Sequence, residues 1–164
     1  TETQIKYPND LVIDQQKVGG ILVLNIDANG QYLATNTGIG INVHYSQREL
    51  EDYPTDYGAT ALDLHTPTTN RRENLVVALM GGLQFIAGDA YIFTANPQAR
   101  QDQNNLWRAH SSVLQRMVRI SSAEEVLVEG RVVDTQIAMG VLVESQRGRA
   151  WFNDFDTKIK VRVN

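Results

Sequence analysis

The sequence predicts an α+β protein in which a strand-rich region, a long helix and a small all-β module follow one another. Residues 3–43 contain apolar runs with a period of two, which is typical of half-buried strands. From Leu75 the apolar residues recur at helical spacing, and from Leu114 the period returns to two. This order favours a domain with a mixed or antiparallel sheet and packed helices over residues 1–115, followed by a small β-barrel over residues 116–164.

The N-terminal region contains a series of strands that includes a tight hairpin. Short alternating runs at residues 4–7 and 11–13 precede a stronger strand at residues 21–26. An Asn-Gly pair follows at 29–30, and both residue types tolerate the positive φ that a two-residue turn requires. We therefore expect a hairpin that returns along residues 32–37 and the residues after them.

The middle of the chain predicts a long connection, a helix and a loop. Residues 46–70 are rich in turn-forming residues and are expected to form a surface connection. A helix is predicted over about residues 71–87, with Thr69 or Asn70 as its N-terminal cap. Residues 96–105 are polar and lack apolar periodicity, which predicts a mobile loop.

The predicted helix carries an apolar stripe and an internal pair of glycines. Gly81 and Gly82 each cost about 1 kcal/mol relative to alanine inside a helix, so we expect a close packing contact there. The stripe is expected to face the core rather than a partner. Its members are Leu75, Leu79, Leu83 and Ile86.

Beyond Leu114, short apolar runs separated by polar turns predict a compact all-β module. Many short strands at close spacing are typical of a small barrel or sandwich. The predicted strands are Val118–Ile120, Val126–Val128, Arg131–Val133, Gly140–Val143, Ala150–Phe152 and Ile159–Val163.

Composition excludes several kinds of site and partner. The 164 residues include no cysteine, which rules out disulfides, thiolate zinc sites and cysteine nucleophiles. The net charge of −4 argues against a nucleic-acid partner, and no apolar run is long enough for a membrane-spanning helix. Residues 1–4 lack the basic and apolar parts of a signal peptide. His44, His65 and His110 fit no metal motif and are expected to pack or to lie at the surface.

Three segments carry the residues that are best suited to chemistry. Residues 6–10, Lys-Tyr-Pro-Asn-Asp, place a cation, an amide and a carboxylate around a rigid proline. Residues 17–22, Lys-Val-Gly-Gly-Ile-Leu, place a lysine shortly before two glycines that open a strand. Residues 38–43, Gly-Ile-Gly-Ile-Asn-Val, place glycines on one strand face, which usually means that a ligand or another backbone comes close. Each segment alone also fits an ordinary turn or a crowded core.

In this order and spacing the three segments resemble the biotin protein ligases, the family that includes the holocarboxylase synthetases. That family carries Lys-Trp-Pro-Asn-Asp, then Lys-x-x-Gly-(Ile/Val)-Leu, then Gly-x-Gly-x-Asn-(Val/Met). The family's spacing from aspartate to lysine is matched here by Asp10 and Lys17, and Tyr7 replaces the usual tryptophan. The predicted helix, the Leu-Trp-Arg segment at 106–108 and residues 139–144 match later parts of the family more weakly.

The resemblance implies a class II synthetase-like catalytic domain, incomplete at its N-terminus, followed by an SH3-like barrel. It implies an ATP-dependent enzyme that forms biotinyl-5′-AMP and transfers biotin to one lysine of a biotin carboxyl carrier domain. Lys17 is then the catalytic residue, which contacts the biotin carboxylate and stabilises the developing charge. Gly20, Gly38 and Gly40 are implied as biotin-binding residues that leave room for the ligand.

The ligands that the resemblance implies are ATP, biotin and Mg²⁺. A carboxylate and an amide beside the triphosphate can hold Mg²⁺ through oxygen or through water, which assigns Asp10 and Asn9 to the metal. Asn42 is implied as an amide that contacts the nucleotide, and Lys6 as a contact to phosphate. The implied ATP-binding set is therefore Asn9, Asp10, Asn42 and Lys6.

The N-terminal half of the family's catalytic domain, with its Gly-Arg-Gly-Arg loop, has no counterpart before Thr1. Residues 147–151, Arg-Gly-Arg-Ala-Trp, resemble that loop superficially and are expected to form a basic hairpin turn. We therefore expect the missing half in the same chain or in a separate one. The other implied partners are the carrier domain of a carboxylase and a second copy paired through the central sheet. The implied location is cytoplasmic, or organellar where an upstream segment carries a transit peptide.

Two alternatives stay open at this point. The first is a lipoate or octanoate ligase or transferase, although Gly-Gly-Ile-Leu after Lys17 favours biotin over lipoate. The second is a non-catalytic binding module of the same fold. The presence of Lys17, Asn42 and Asp10 argues against this second alternative.

Overall fold

A computed structural model describes residues 2–53, 55–66, 72–123, 125–154 and 159–164, with backbone alone at residues 32 and 85–95. The chain forms two compact units, residues 1–68 and 69–164, and each unit contains one antiparallel sheet. The α+β prediction is therefore confirmed. The long helices belong to the second unit, whereas the sequence places a domain boundary between residues 115 and 116; that boundary stays a prediction.

The first unit is built on a four-stranded sheet whose strands follow chain order. Asp10 lies opposite Gly20, and Gly20 lies opposite Gly40, so these residues form a row across the sheet. Paired residues of antiparallel strands share one face, so the carboxylate stands beside two glycines. The strands are β1 (Gln4–Lys6), β2 (Asp10–Ile13), β3 (Gln16–Ala28) and β4 (Gln31–Ile41).

A bulge interrupts the pairing of β2 with β3. Leu11 lies opposite Gly19, but the next residue, Val12, lies opposite Lys17, so β3 contains one extra residue at this point. Side chains alternate between the two faces along a strand, and one extra residue reverses that alternation. The bulge therefore returns Lys17 to the face that carries Asp10.

The hairpin of β3 and β4 turns at Asn29 and Gly30, whose φ angles of 54° and 76° confirm the predicted turn. Towards this turn the apolar side chains of β3 are open, with exposed fractions that range from 37 % at Ile21 to 57 % at Leu22. Successive side chains of a strand point to opposite faces, so the hairpin exposes apolar surface on both faces. The buried residues of the sheet include Val12, Ile13 and Val18.

Residues 46–53 and 55–66 form the predicted connection, and most of their side chains are exposed. They contain the short helix α1 (Gln47–Leu50) and a 3-10 turn (Leu62–Leu64). Ala59, which is buried, forms a parallel bridge with Lys17. The surface connection is therefore confirmed for most of the segment, but its turn-rich composition hides a short buried piece around Ala59 that pairs with β3. Residues 67–70 of the predicted connection lie outside the described residues.

The second unit consists of two helices and a five-stranded antiparallel sheet of order β8-β7-β6-β5-β9. The predicted strands at 126–128 and 131–133 form one strand, β6, and the other four predicted strands are confirmed. The turn between β7 and β8 contains Arg147, as expected for a basic hairpin. The elements are α2 (Arg72–Ala95), α3 (Pro97–His110), β5 (Met117–Ser122), β6 (Glu125–Gln136), β7 (Gly140–Ser145), β8 (Gly148–Phe152) and β9 (Ile159–Val163).

Helix α2 differs from its prediction in length and in packing. It continues to Ala95 instead of ending near residue 87, and its predicted N-terminal caps lie outside the described residues. A Cβ added at Gly81 or Gly82 would meet nothing within 4 Å in the described part of the chain, so the expected close contact is wrong. Leu83 is 38 % exposed, so the apolar stripe is not a buried core face along its whole length.

Helix α3 forms where the polar composition of residues 96–105 predicted a mobile loop. The side-chain oxygen of Asn96 accepts hydrogen bonds from the backbone amides of Gln98 and Ala99, and Pro97 occupies the first turn. These end signals stabilise a helix that has no apolar period of its own. In the described parts of the chain, neither long helix is both long and apolar enough to span a membrane.

Two side chains anchor α3 to strand β6. Trp107 Nε1 donates to Thr135 Oγ1 at 2.9 Å, and Arg108 donates to both carboxylate oxygens of Asp134 at 2.6 Å and 3.0 Å. The hydrogen bond between Arg108 and Asp134 raises the pKa of the guanidinium and lowers the pKa of the carboxyl. The helix is therefore held to the sheet by a charged clamp and a neutral hydrogen bond.

Candidate active site

Lys17 and Asp10 form an ion pair on the wall of a cleft in the first unit. Lys17 Nζ lies 2.5 Å from Asp10 Oδ1, and the two side chains are 27 % and 18 % exposed. The cleft has a volume of about 680 Å³, which lies within the usual range for small-molecule sites. Because the pair is not fully buried, the ammonium can exchange its carboxylate for an anionic ligand at modest cost in desolvation.

Three glycines beside the ion pair form part of the cleft wall, and we call them the glycine row: Gly20, Gly38 and Gly40. A Cβ at Gly20 would lie 3.1 Å from Asp10 Oδ1 and 3.6 Å from Lys17 Cε, so any side chain would crowd the pair. A Cβ at Gly40 would meet nothing within 4 Å, and one at Gly38 would meet only a backbone oxygen at 3.9 Å. Packing within the described chain therefore does not require Gly38 and Gly40. Their bare backbone is open to a ligand.

The two predicted asparagines line the same cleft, and each also holds the backbone of a neighbouring segment. Asn9 Nδ2 donates to the Ile21 carbonyl at 2.8 Å, and the Ile21 amide donates to the Asn9 carbonyl at 2.9 Å. Asn42 is 7 % exposed and donates through Nδ2 to the Thr60 carbonyl at 3.0 Å. Both asparagines thus stabilise the cleft wall, and their contacts with ATP stay predictions.

Lys6 is not among the residues that line the cleft. Its Nζ is 3.7 Å from the centroid of the Tyr57 ring, and the residue is 8 % exposed. An ammonium over an aromatic face is attracted by the ring quadrupole. The structure therefore brings Lys17, Asp10 and the other predicted residues together and places Lys6 against Tyr57. Its predicted contact with phosphate stays a prediction.

Tyr57 is a residue of this site that the sequence motifs do not include. Its hydroxyl donates to Asp10 Oδ2, the oxygen opposite the one that contacts Lys17. Burial, and then the hydrogen bond to Asp10, raise the pKa of Tyr57, so the phenol keeps its proton at neutral pH. Tyr57 lies 47 residues from Asp10, in a turn-rich segment where no local pattern distinguishes it.

The donor set of the cleft does not fit a tightly held metal ion. Among the described residues, no three His, Asp or Glu side chains are grouped so that they could hold one. Asp10 uses one oxygen for Lys17 and the other for Tyr57, whereas Mg²⁺ prefers available carboxylate oxygens. The assignment of Asp10 and Asn9 to Mg²⁺ stays a prediction.

Two histidines make ordinary polar contacts. His44 pairs with Asp63 at the surface, and His65 Nε2 lies 2.7 Å from Thr60 Oγ1. Both contacts agree with the expected packing or surface roles.

Solved structures of biotin protein ligase from Aquifex aeolicus are similar to this chain. The alignment with one of them includes 99 % of this chain and 65 % of the ligase chain, with a TM-score of 0.74 and 19 % identity. An apo structure covers 100 % and 66 %, with a TM-score of 0.74 and 22 % identity. A structure in complex with biotin and ATP covers 100 % and 63 %, with a TM-score of 0.73 and 22 % identity. No protein-family model matches the sequence.

The likeness spans this whole chain but only 63 % to 66 % of those ligases, and it corresponds to their C-terminal part. At 19 % to 22 % identity it is a likeness of fold. The fold expected from the three ordered motifs is therefore confirmed. This chain has the fold of the biotin protein ligases, over about two thirds of their length.

Proposed function

We propose that the protein is an ATP-dependent biotin protein ligase, which forms biotinyl-5′-AMP and transfers biotin to a lysine of a biotin carboxyl carrier domain. The observation that carries the proposal is the placement of Lys17 and the glycine row in one cleft. This cleft belongs to a chain with the fold of biotin protein ligases, one of which was solved with biotin and ATP. The Gly-Gly-Ile-Leu sequence after Lys17 favours biotin over lipoate as the acid.

The first step joins a carboxylate oxygen of biotin to the α-phosphorus of ATP and releases pyrophosphate. Both reactants are anions, so an ammonium between them offsets their repulsion and stabilises the charge that develops in the transition state. Lys17 is suited to this role because it lies on the cleft wall as a compact charge on a flexible stem. Gly20, Gly38 and Gly40 allow the acid to lie close to the backbone.

The second step transfers the biotinyl group to the carrier. The amine of the carrier lysine attacks the acyl carbon, the bond from that carbon to the AMP oxygen breaks, and AMP leaves.

Mg²⁺ bound to the triphosphate would neutralise phosphate charge in the first step. The roles of Lys17 and of the glycines do not depend on how that ion is held.

A further segment is needed to complete this site, according to the same proposal. The chain covers 63 % to 66 % of the similar ligases, and its β3–β4 hairpin exposes apolar side chains on both faces. An N-terminal half of the catalytic domain, from the same chain or from a separate one, would cover such surface and supply a Gly-Arg-Gly-Arg loop. The pairing of two copies and a cytoplasmic or organellar location are proposals from the family alone.

Reconstitution tests the proposed function. The chain is combined, in cis or in trans, with the N-terminal half of a biotin ligase catalytic domain, and biotinyl-adenylate and carrier biotinylation are measured. We expect both products, with Lys160→Ala in the second unit as a control that behaves like the wild type. Activation of lipoate or octanoate without biotin would replace the proposal by the sister reaction. Binding of ligand without any adenylate would replace it by a non-catalytic module.

A further inference from the structure

Asp10 is held from both sides, and Tyr57 provides the second contact. Lys17 Nζ lies 2.5 Å from Oδ1 of Asp10, while the Tyr57 hydroxyl donates to Oδ2. A carboxylate that is bound at both oxygens cannot rotate without breaking one of the two contacts. Tyr57 therefore fixes the plane of the carboxylate and, with it, the direction from which Lys17 is held.

The segment that carries Tyr57 also holds the backbone of Lys17. The Lys17 amide donates to the Gly58 carbonyl at 3.0 Å, and the Thr60 amide donates to the Lys17 carbonyl at 2.8 Å. Lys17 and Ala59 form a parallel bridge between these two hydrogen bonds. One segment, residues 57–60, thus fixes both the backbone of the lysine and its counter-ion. An oriented charge in a preorganised site needs support of this kind.

The Tyr57 hydroxyl is suited to a permanent contact with Asp10. Burial, and then the hydrogen bond itself, raise the pKa of Tyr57, so the phenol stays a donor across the physiological pH range. Lys6 Nζ lies 3.7 Å from the centroid of the ring, so the ring is also held on one of its faces. A donor whose ring is fixed in this way loses little conformational entropy when it binds.

We propose that Tyr57 is a positioning residue of the adenylation site, which keeps Asp10 in place while Lys17 turns to the carboxylate of the acid. The chemical meaning of this role rests on the proposed ligase function. If Asp10 were free to follow the lysine, its negative charge would stand beside the acid and the α-phosphate. Like charges at that distance repel one another and would oppose the reaction.

The first test measures the order of Lys17 and needs no activity. The ¹³Cε relaxation of Lys17 is recorded in the 164-residue chain for the wild type and for Tyr57→Phe, which keeps the ring over Lys6. Trp107→Phe is the matched control, because it also removes one side-chain hydrogen bond, in the second unit. We expect Lys17 to become more mobile in Tyr57→Phe alone. An unchanged Lys17, or an equal change in Trp107→Phe, would overturn the positioning role.

A double-mutant cycle then asks whether Tyr57 acts through Asp10. In the Asp10→Asn background, Tyr57→Phe should have little further effect on the mobility of Lys17, because the carboxylate that links the two residues is gone. Effects that simply add would show that Tyr57 acts by another route, and they would overturn the proposal.

Kinetics of the reconstituted enzyme separate this inference from the proposed function. We expect Tyr57→Phe to lower the kcat of adenylate formation about tenfold, the scale of one hydrogen bond to a charged group, with the KM for biotin nearly unchanged. An active wild type with an equally active Tyr57→Phe would overturn the inference and leave the ligase proposal intact. A wild type that activates no acid, with Lys17 mobile only in Tyr57→Phe, would overturn the ligase proposal and leave the structural role of Tyr57.

Discussion

The described chain contains two half-buried ion pairs with similar exposure and different surroundings. The side chains of Lys17 and Asp10 are 27 % and 18 % exposed, and those of Arg108 and Asp134 are 28 % and 25 % exposed. Arg108 occupies both oxygens of Asp134, and two further donors of β6 bind the same carboxylate. Lys17 instead lies beside bare glycine backbone on a cleft wall. Surroundings, rather than exposure, separate a structural ion pair from one that is available to a ligand.

The two sheets also differ in how their apolar residues are buried. Val132 on β6 and Val141 on β7 are fully buried, so the C-terminal sheet encloses apolar residues of its own. The apolar residues of β3 between Ile21 and Ile26 remain exposed by at least 37 %. The first sheet thus has a run of exposed apolar residues along one strand, whereas the second sheet exposes single ones, such as Met117 on β5 and Val126 on β6. Variants that affect one ion pair or one unit alone can test this contrast.

Lys17→Ala should produce the largest effect, and it should act on chemistry. Loss of one oriented charge stabiliser is expected to lower adenylate formation by about 100-fold in the reconstituted enzyme. The free energy of unfolding should change by only about 1 kcal/mol or less, because the partly exposed pair uses one oxygen of Asp10 and the other oxygen still accepts from Tyr57. Single-turnover assays and thermal unfolding measure the two quantities, with Lys160→Ala as the control. Full activity in Lys17→Ala would contradict the role assigned to this lysine.

Asp134→Asn should have the opposite profile. The variant keeps the shape of the side chain but removes the charge that binds Arg108, so unfolding should become easier by about 1–3 kcal/mol. Adenylate formation by the folded enzyme should stay as in the wild type. Chemical denaturation followed by far-UV circular dichroism measures the change. An unaltered midpoint would show that the clamp between α3 and β6 contributes little.

The lowered pKa of the Asp134 carboxyl predicts that the stability of the protein depends on pH. Its pKa is lowered in the folded state by the Arg108 hydrogen bond, so it contributes stability above its unfolded pKa of about 3.9. That contribution is lost as the pH falls through the lower folded pKa. The stability difference between wild type and Asp134→Asn should therefore be full near pH 6 and should shrink progressively below about pH 4. A difference that is constant down to pH 2 would contradict this assignment.

Gly20→Ala should have a smaller effect, confined to the site. The added Cβ would lie 3.1 Å from Asp10 Oδ1, and this carboxylate has little freedom to move because both of its oxygens are bound. Displacement of the pair by a few tenths of an ångström is expected to lower adenylate formation about tenfold. Initial rates at saturating biotin and ATP measure it. A rate equal to that of the wild type would show that the pair tolerates the crowding.

Gly81→Ala should have the smallest effect, and it should be stabilising. Nothing in the described part of the chain lies within 4 Å of the added Cβ, so the gain in helix propensity of about 1 kcal/mol or less is not offset by a clash. A small rise in Tm of the isolated chain measures the effect. A fall in Tm would mean that a close contact exists at this glycine after all.

Local patterns predicted most of the strands, and the resemblance of the three motifs singled out residues that the structure brings together in the cleft; their roles in binding and catalysis stay predictions. The Asn29 turn, the alternating strands and the motif residues Lys17, Asp10 and Gly20 all depend on neighbours in sequence or on a short spacing. Helix α3 was missed because its evidence lies in the cap at Asn96 and not in an apolar period. The Asn96 side chain accepts hydrogen bonds from backbone amides in the first turn. This cap stabilises the helix in spite of its polar composition.

Other features depend on distant parts of the chain and leave no local pattern. Tyr57 reaches Asp10 across 47 residues, and the pairing of its segment with the backbone of Lys17 brings it there. The exposure of Leu83 depends on what packs over α2, which helical periodicity cannot reveal. Periodicity identifies which side of an element is apolar, whereas burial is decided by the elements around it.

Because β3 contains a bulge, the position of the Lys17 ammonium in the cleft depends on the number of residues in this strand. One extra residue, Val18, lies between Gly19 and Lys17 and brings Lys17 to the side of the sheet where Asp10 lies. Removal of a single residue between Lys17 and Gly19 would leave every motif residue type in the sequence and would turn the ammonium to the other side. The length of the strand beside this lysine therefore matters to the site as much as the residue types in it.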